Sequence, residues 1–314
     1  MSYEYFFTDE ILNMMHAFGD SSQPLPESAK LIETVVHEQL DALIDKAGDV
    51  SQLRNASVIG AEDILFLLRK DKSKLVRLIN HLYVKDIKSS INDSTSNPAE
   101  VRMYDVNRSQ QSRRVKICYD YLSQLDEFGE FKKVFNQALF DEIKNQRLRR
   151  IDSITRKMTE MEYVVFTRAR QVSFLSRVKP EKFSEWLLRN KSHVRINVFA
   201  FEMIQYLAHE TVAQVIDLAL LVKQDAERDP HDPLSVLITK STYNNSEKTN
   251  LNSQCHQAKS SINMPYSLAY TNDHPKCITP DHIYEAMRRY CGPKGPFKEY
   301  QHKSRKYSLA VLCI

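Results

Sequence analysis

The chain has 314 residues, a formal net charge of +4 and only six glycines. Glycine is therefore about 2% of the sequence, against an average share of roughly 7%. That scarcity argues against nucleotide-binding loops, where clustered glycines let the backbone approach phosphates, and against sandwiches, propellers and barrels with their frequent tight turns. An all-α protein is the expectation.

With 44 basic and 40 acidic residues, the overall balance makes no general case for nucleic acid or membrane. Five cysteines without a Cys-x-x-Cys pair fit free thiols in a reducing compartment. Residues Met1 to Phe7 lack a basic region leading into an apolar run, so no signal peptide is expected. No membrane span is expected either, because no 18-residue apolar stretch is free of charge.

Helical periodicity begins at Thr8. Ile11, Leu12, Met14, Met15 and Phe18 recur at helical spacing, Thr8 is the expected N-cap and Gly19 the stop. After Pro24 and Pro26, a long pattern runs from about Glu27 to Leu53 through Leu31, Ile32, Val35, Val36, Leu40, Leu43, Ile44 and Ala47. Gly48 inside it weakens the helix by about 1 kcal/mol relative to alanine. A short helix is predicted at Ala61–Arg69, then a basic extension to about Lys88 with Leu75, Leu78, Ile79 and Leu82 as its stripe. The polar run Ser89–Pro98 reads as a linker, and residues from about Ser112 to Ser176 as a charged helical connector.

The pattern then repeats. Lys182–Arg189 is a short amphipathic helix with the only tryptophan, and Val198 to about Arg228 a long helix apolar nearly all round. A further short helix spans Ile278–Arg289, with Thr279 as expected N-cap and Pro280 at the first helical position. Between these last two lies a polar insert at about 229–276, expected to be disordered or loosely ordered.

Short, long, short is the helix order of the histone fold. Such a unit cannot bury its long helix alone and needs a crossing partner unit. The expectation is two histone folds in one chain forming an intramolecular pair, joined by a helical connector. The expected divisions are 1–88, 89–178, 179–292 and a tail at 293–314.

Arg54 lies nine residues before Asp63, as in histone folds where an arginine of the second loop pairs with an aspartate opening the last helix. This is a structural ion pair. In the second unit His282, beside Asp281, stands where Asp63 would, so the same pair is not expected there.

The stretch Val50–Asp71 resembles the first histone-fold signature of the suppressor-of-Ty-three family, the transcription-initiation subunit of the SAGA coactivator. Two further stretches resemble that family in the same order. One runs Thr155-Arg-Lys-Met, Tyr163, Arg170-Gln-Val-Ser-Phe174 and Lys182-Phe-Ser-Glu-Trp186; the other is Tyr206–Gln224 followed by Ile278–Ile283. The resemblance implies a nuclear, non-enzymatic subunit that docks among the histone-fold subunits of SAGA and contacts the TATA-binding protein. It associates that contact with Glu210, and Asp217 matches a second acidic position. Glu210, Gln214 and Asp217 share one helix face and form the candidate partner-binding site. On this reading Glu210→Lys weakens the contact and leaves the fold intact.

Charge favours a protein partner. From Met1 to Leu68 there are twelve acidic and three basic residues, which would repel DNA, so direct sequence-specific DNA binding is not expected. Arg69, Lys70, Lys72, Lys74 and Arg77, and later Arg147, Arg149 and Arg150, read as solvated helix faces. Two alternatives share the fold: a DNA-binding histone-fold subunit, resting on the basic Arg69–Arg77 run, and a TFIID histone-fold subunit. His274, Cys277, His282 and Cys291 match no zinc spacing, and no nucleophile motif occurs, so neither metal, cofactor nor catalysis is expected.

Overall fold

A computed structural model describes residues 5–95, 113–135, 141–175, 181–189, 191, 193–226, 277–291 and 312–313. The polar insert at 229–276 and the tail from 293, apart from Leu312 and Cys313, lie outside the described residues.

The described residues are helical without a strand ladder. In chain order the helices are α1 (Thr8–Phe18), α2 (Pro26–Leu53), α3 (Ala61–Leu68), α4 (Lys72–Thr95), α5 (Arg113–Gln124) and α6 (Glu130–Phe135). They continue with α7 (Glu142–Thr155), α8 (Glu160–Ala169), α9 (Lys182–Leu187), α10 (Val198–Ala226) and α11 (Pro280–Cys291). Helix α1 ends at Gly19, whose φ of 113° is the left-handed cap that glycine adopts without strain. Helix α2 starts on Pro26, where a missing N–H costs nothing. It runs unbroken through Gly48, which has open space beside it, so no neighbour explains the glycine. Helix α4 passes beyond Lys88 to Thr95, where a linker was expected. Ser89 is accommodated inside it with its hydroxyl donating back to the Lys85 carbonyl, 2.9 Å away.

The predicted N-cap at Thr8 is replaced. Thr8 is the first helical residue, and the N–H groups of Phe6 and Phe7 donate to the buried carboxylate of Glu33 on α2, at 2.7 and 3.1 Å. A cap from another helix leaves no local sequence signature. Burial raises the Glu33 pKa above the usual carboxylate range.

One apolar core joins the two long helices. Ile32, Val36, Leu40, Leu43 and Ile44 of α2 and Met203, Ile204, Leu207, Val212 and Val215 of α10 are all buried in it. Helix α10 packs on α1, α2, α3, α4 and α11, and α2 also meets α9 and α11. Beside this crossing, Ile59 forms an isolated parallel bridge with Ile196: Ile59 N–H donates to the Arg195 carbonyl and Asn197 N–H to the Ile59 carbonyl, both at 2.9 Å. The connector is not merely charged: α5 buries Val115, Cys118 and Leu122 against α3 and α4.

Candidate partner-binding site

Glu210, Gln214 and Asp217 line one face of α10, and helix α7 covers that face. The Glu210 carboxylate is 8% exposed at residue level and accepts from Arg77 of α4 and from Arg147 Nη1 of α7, the latter at 3.0 Å. Arg147 Nε also donates to Asp217 at 2.6 Å, and Arg150 Nη1 donates to Asp217 at 2.7 Å and to the Phe18 carbonyl at 2.8 Å. Asp141, the N-cap of α7, lies 3.1 Å from Arg77 Nε. Gln214, on the same face, is partly exposed, although its Oε1 is buried and without a hydrogen-bond partner.

This cluster holds α7 in place. No residue of α7 is buried outright, so charge and not a hydrophobic face anchors it. Its fit is close even so: a Cβ at Gly19 would come within 2.6 Å of Arg150 Cδ. Burial disfavours the Arg147 charge, but Glu210 and Asp217 more than offset it and raise its pKa above the ordinary value. Burial, aided by Arg147, pushes neighbouring His209 down to about 4.

The basic runs are therefore only in part the solvated faces the sequence suggested: Lys70 and Arg149 are exposed. Lys74 and Arg77 are buried, and Arg69 lies 3.6 Å over the Phe66 ring. The expected acidic face is a mixed-charge cluster, because α4 and α7 bring their arginines to it. Sequence reading missed Arg77 and Arg147 as members: they lie 133 and 63 positions from Glu210. The only available signal was that several arginines interrupt apolar stripes.

Arg54 and Asp63 meet in a bidentate pair. Arg54 Nε and Nη2 donate to the two Asp63 oxygens, each at 2.8 Å, and Gly60 N–H donates to Oδ2 at 2.8 Å. Asp63 is fully buried while the Arg54 side chain is 39% exposed. We expect Asp63→Ala to cost about 2 kcal/mol in urea unfolding. It removes a charge-assisted pair and strands the Gly60 N–H, while solvent screens the Arg54 half. A loss under about 0.5 kcal/mol would contradict this account. At the start of α11, His282 Nδ1 accepts from Thr279 N–H at 3.1 Å, capping the helix where a carboxylate would otherwise serve.

Among the described residues, no three His, Cys, Asp or Glu side chains are grouped to hold a metal ion. No helix among them is long and apolar enough to cross a membrane.

The described residues thus define a helical protein of histone-fold type with an internal charge cluster. Residues 5–96 match the family model described as transcription initiation factor IID, 18kD subunit. Three relatives align over much more of the sequence. The SAGA complex subunit Spt3 of Schizosaccharomyces pombe is 28% identical over 70% of this chain and 74% of its own length. That of Drosophila melanogaster is 28% identical over 72% of this chain but only 55% of its own length. SAGA complex subunit SPT3 of Saccharomyces cerevisiae is 25% identical over 89% of both chains. Over most of its length the chain is thus similar to SAGA complex subunit Spt3, at 25–28% identity.

Proposed function

We propose that this chain is a non-enzymatic subunit of a SAGA-type transcription coactivator, acting in the nucleus and binding the TATA-binding protein. The observation that carries the reading is the extent of the likeness. Relatives named as SAGA subunits align across both helical halves, whereas the TFIID 18kD model ends at residue 96. In this reading residues 1–88 and 179–292 are two histone-fold units paired within the chain, with 89–178 as connector. The crossing of α2 with α10 and the parallel bridge between Ile59 and Ile196 support that pairing.

In this reading the partner meets the face of Glu210, Gln214 and Asp217 at its partly exposed members, Gln214 and Asp217, because α7 covers Glu210. The chemistry of this face is acceptor-rich, and it already receives two arginines from α7. A basic partner surface offers the same donors, and complementarity of this kind gives orientation and association rate.

Gln214→Lys is the clean test. It adds one positive charge without removing either carboxylate or its arginines, and because Gln214 is partly exposed a lysine stem can carry that charge to solvent. Purified chain and TATA-binding protein are titrated against each other. We expect binding for the parent and at least a tenfold loss for the variant, with the melting temperature unchanged. Equal affinities would overturn the assignment of this face; no binding of either at micromolar concentration would overturn the partner.

A further inference from the structure

Leu312 and Cys313 are buried, 0% and 2% exposed, in a cleft between α2, α4 and α10. The main chain of one residue is held at both ends. Leu312 N–H donates to Gln39 Oε1 at 2.6 Å, and the Leu312 carbonyl accepts from Lys74 Nζ. Thr211 commits its hydroxyl hydrogen to the Leu207 carbonyl at 2.7 Å, so in the 3.2 Å contact with Cys313 the thiol is the donor.

These three polar side chains are themselves buried. They come from three helices far apart in sequence, and none of the three head groups caps a helix. Without the Leu312 carbonyl, Lys74 Nζ would keep, among the described residues, Asp71 at 3.7 Å. Burial already depresses the Lys74 pKa, and an ammonium in such a site requires an acceptor. Gln39 would likewise be left with a buried, unmet carbonyl.

We propose that this cleft is a peptide-binding site and that its occupant is the chain's own Leu312–Cys313, held as a separable ligand. The site reads an apolar peptide through the backbone of one leucine-sized residue, and so ties α2 and α4 to α10. This inference is independent of the SAGA reading.

A chain lacking residues 309–314 is titrated with a fluorescein-labelled peptide of residues 301–314, followed by anisotropy. We expect saturable binding to the shortened chain and at least tenfold weaker binding to the intact chain, whose cleft is filled. The peptide carrying Leu312→Asp should bind at least tenfold more weakly, and Gln39→Leu in the shortened chain should cost roughly threefold to tenfold. Equal binding to shortened and intact chains, or indifference to Leu312→Asp, overturns the proposal. If the shortened chain does not fold, the intact chain is cut at a protease site inserted between Tyr300 and Gln301. Retention of the cut fragment through gel filtration supports the proposal, and free elution overturns it.

Discussion

Glu210→Lys is expected to destabilise the protein by about 3–5 kcal/mol, read as a lowered midpoint in thermal or urea unfolding. The carboxylate sits between Arg77 and Arg147, whose side chains are 8% and 12% exposed. Lysine there would place three cations together where little water can screen them. The same change would unseat α7, because Arg147 bridges Glu210 to Asp217. An intact fold, as the sequence alone suggested for this variant, requires a solvated Glu210, and burial removes that condition. Glu210→Gln keeps the shape and loses only the charge, so it should cost less than half as much. A Glu210→Lys protein with a loss below about 1 kcal/mol would refute the cluster as described. This outcome also bears on binding assays: weaker association of Glu210→Lys with any partner would report misfolding as readily as a lost contact, which is why Gln214 is the better probe of the surface.

Trp186→Ala carries the second large effect, about 3–5 kcal/mol. The only tryptophan is 1% exposed at the meeting of α1, α2 and α9. Its ring stacks on Phe174 with centroids 5.7 Å apart and meets Phe7 edge-on at 5.3 Å and His37 at 5.0 Å. Truncation opens a cavity that these rigid rings cannot collapse to fill. Trp186→Phe should be much milder. The indole Nε1 is buried and lacks a hydrogen-bond partner, so phenylalanine keeps the ring contacts and deletes an unmet donor. Circular dichroism during urea unfolding measures both variants, since each lacks the fluorescent reporter. Equal losses for alanine and phenylalanine would show that the aromatic cluster is not the source of stability.

Which parts of this protein were legible in its sequence follows from the range of the forces involved. The long helices were legible because α2 and α10 bury apolar residues at regular spacing, a signal contained within each helix. The Arg54–Asp63 geometry was legible because both residues lie within one loop-helix unit. The cap of α1 was not, since Glu33 reaches it from α2. Helix α7 was read as part of a charged connector, and nothing in its own residues reveals that Arg147 and Arg150 close over α10.

The sequence by itself determined an all-helical chain, the positions of its long helices and its family likeness, because periodicity, capping and motif order are local properties. Only the tertiary structure decided which charges are surface and which are interior. Lys74, Arg77 and Glu210 look like ordinary polar residues in sequence, yet each is buried where helices distant along the chain converge. The six glycines show the same division: their scarcity announced helices, but only the packed molecule shows that Gly19 leaves room for Arg150 of α7. Ion pairing and close approach depend on separation in space, and folding sets that separation independently of distance along the chain.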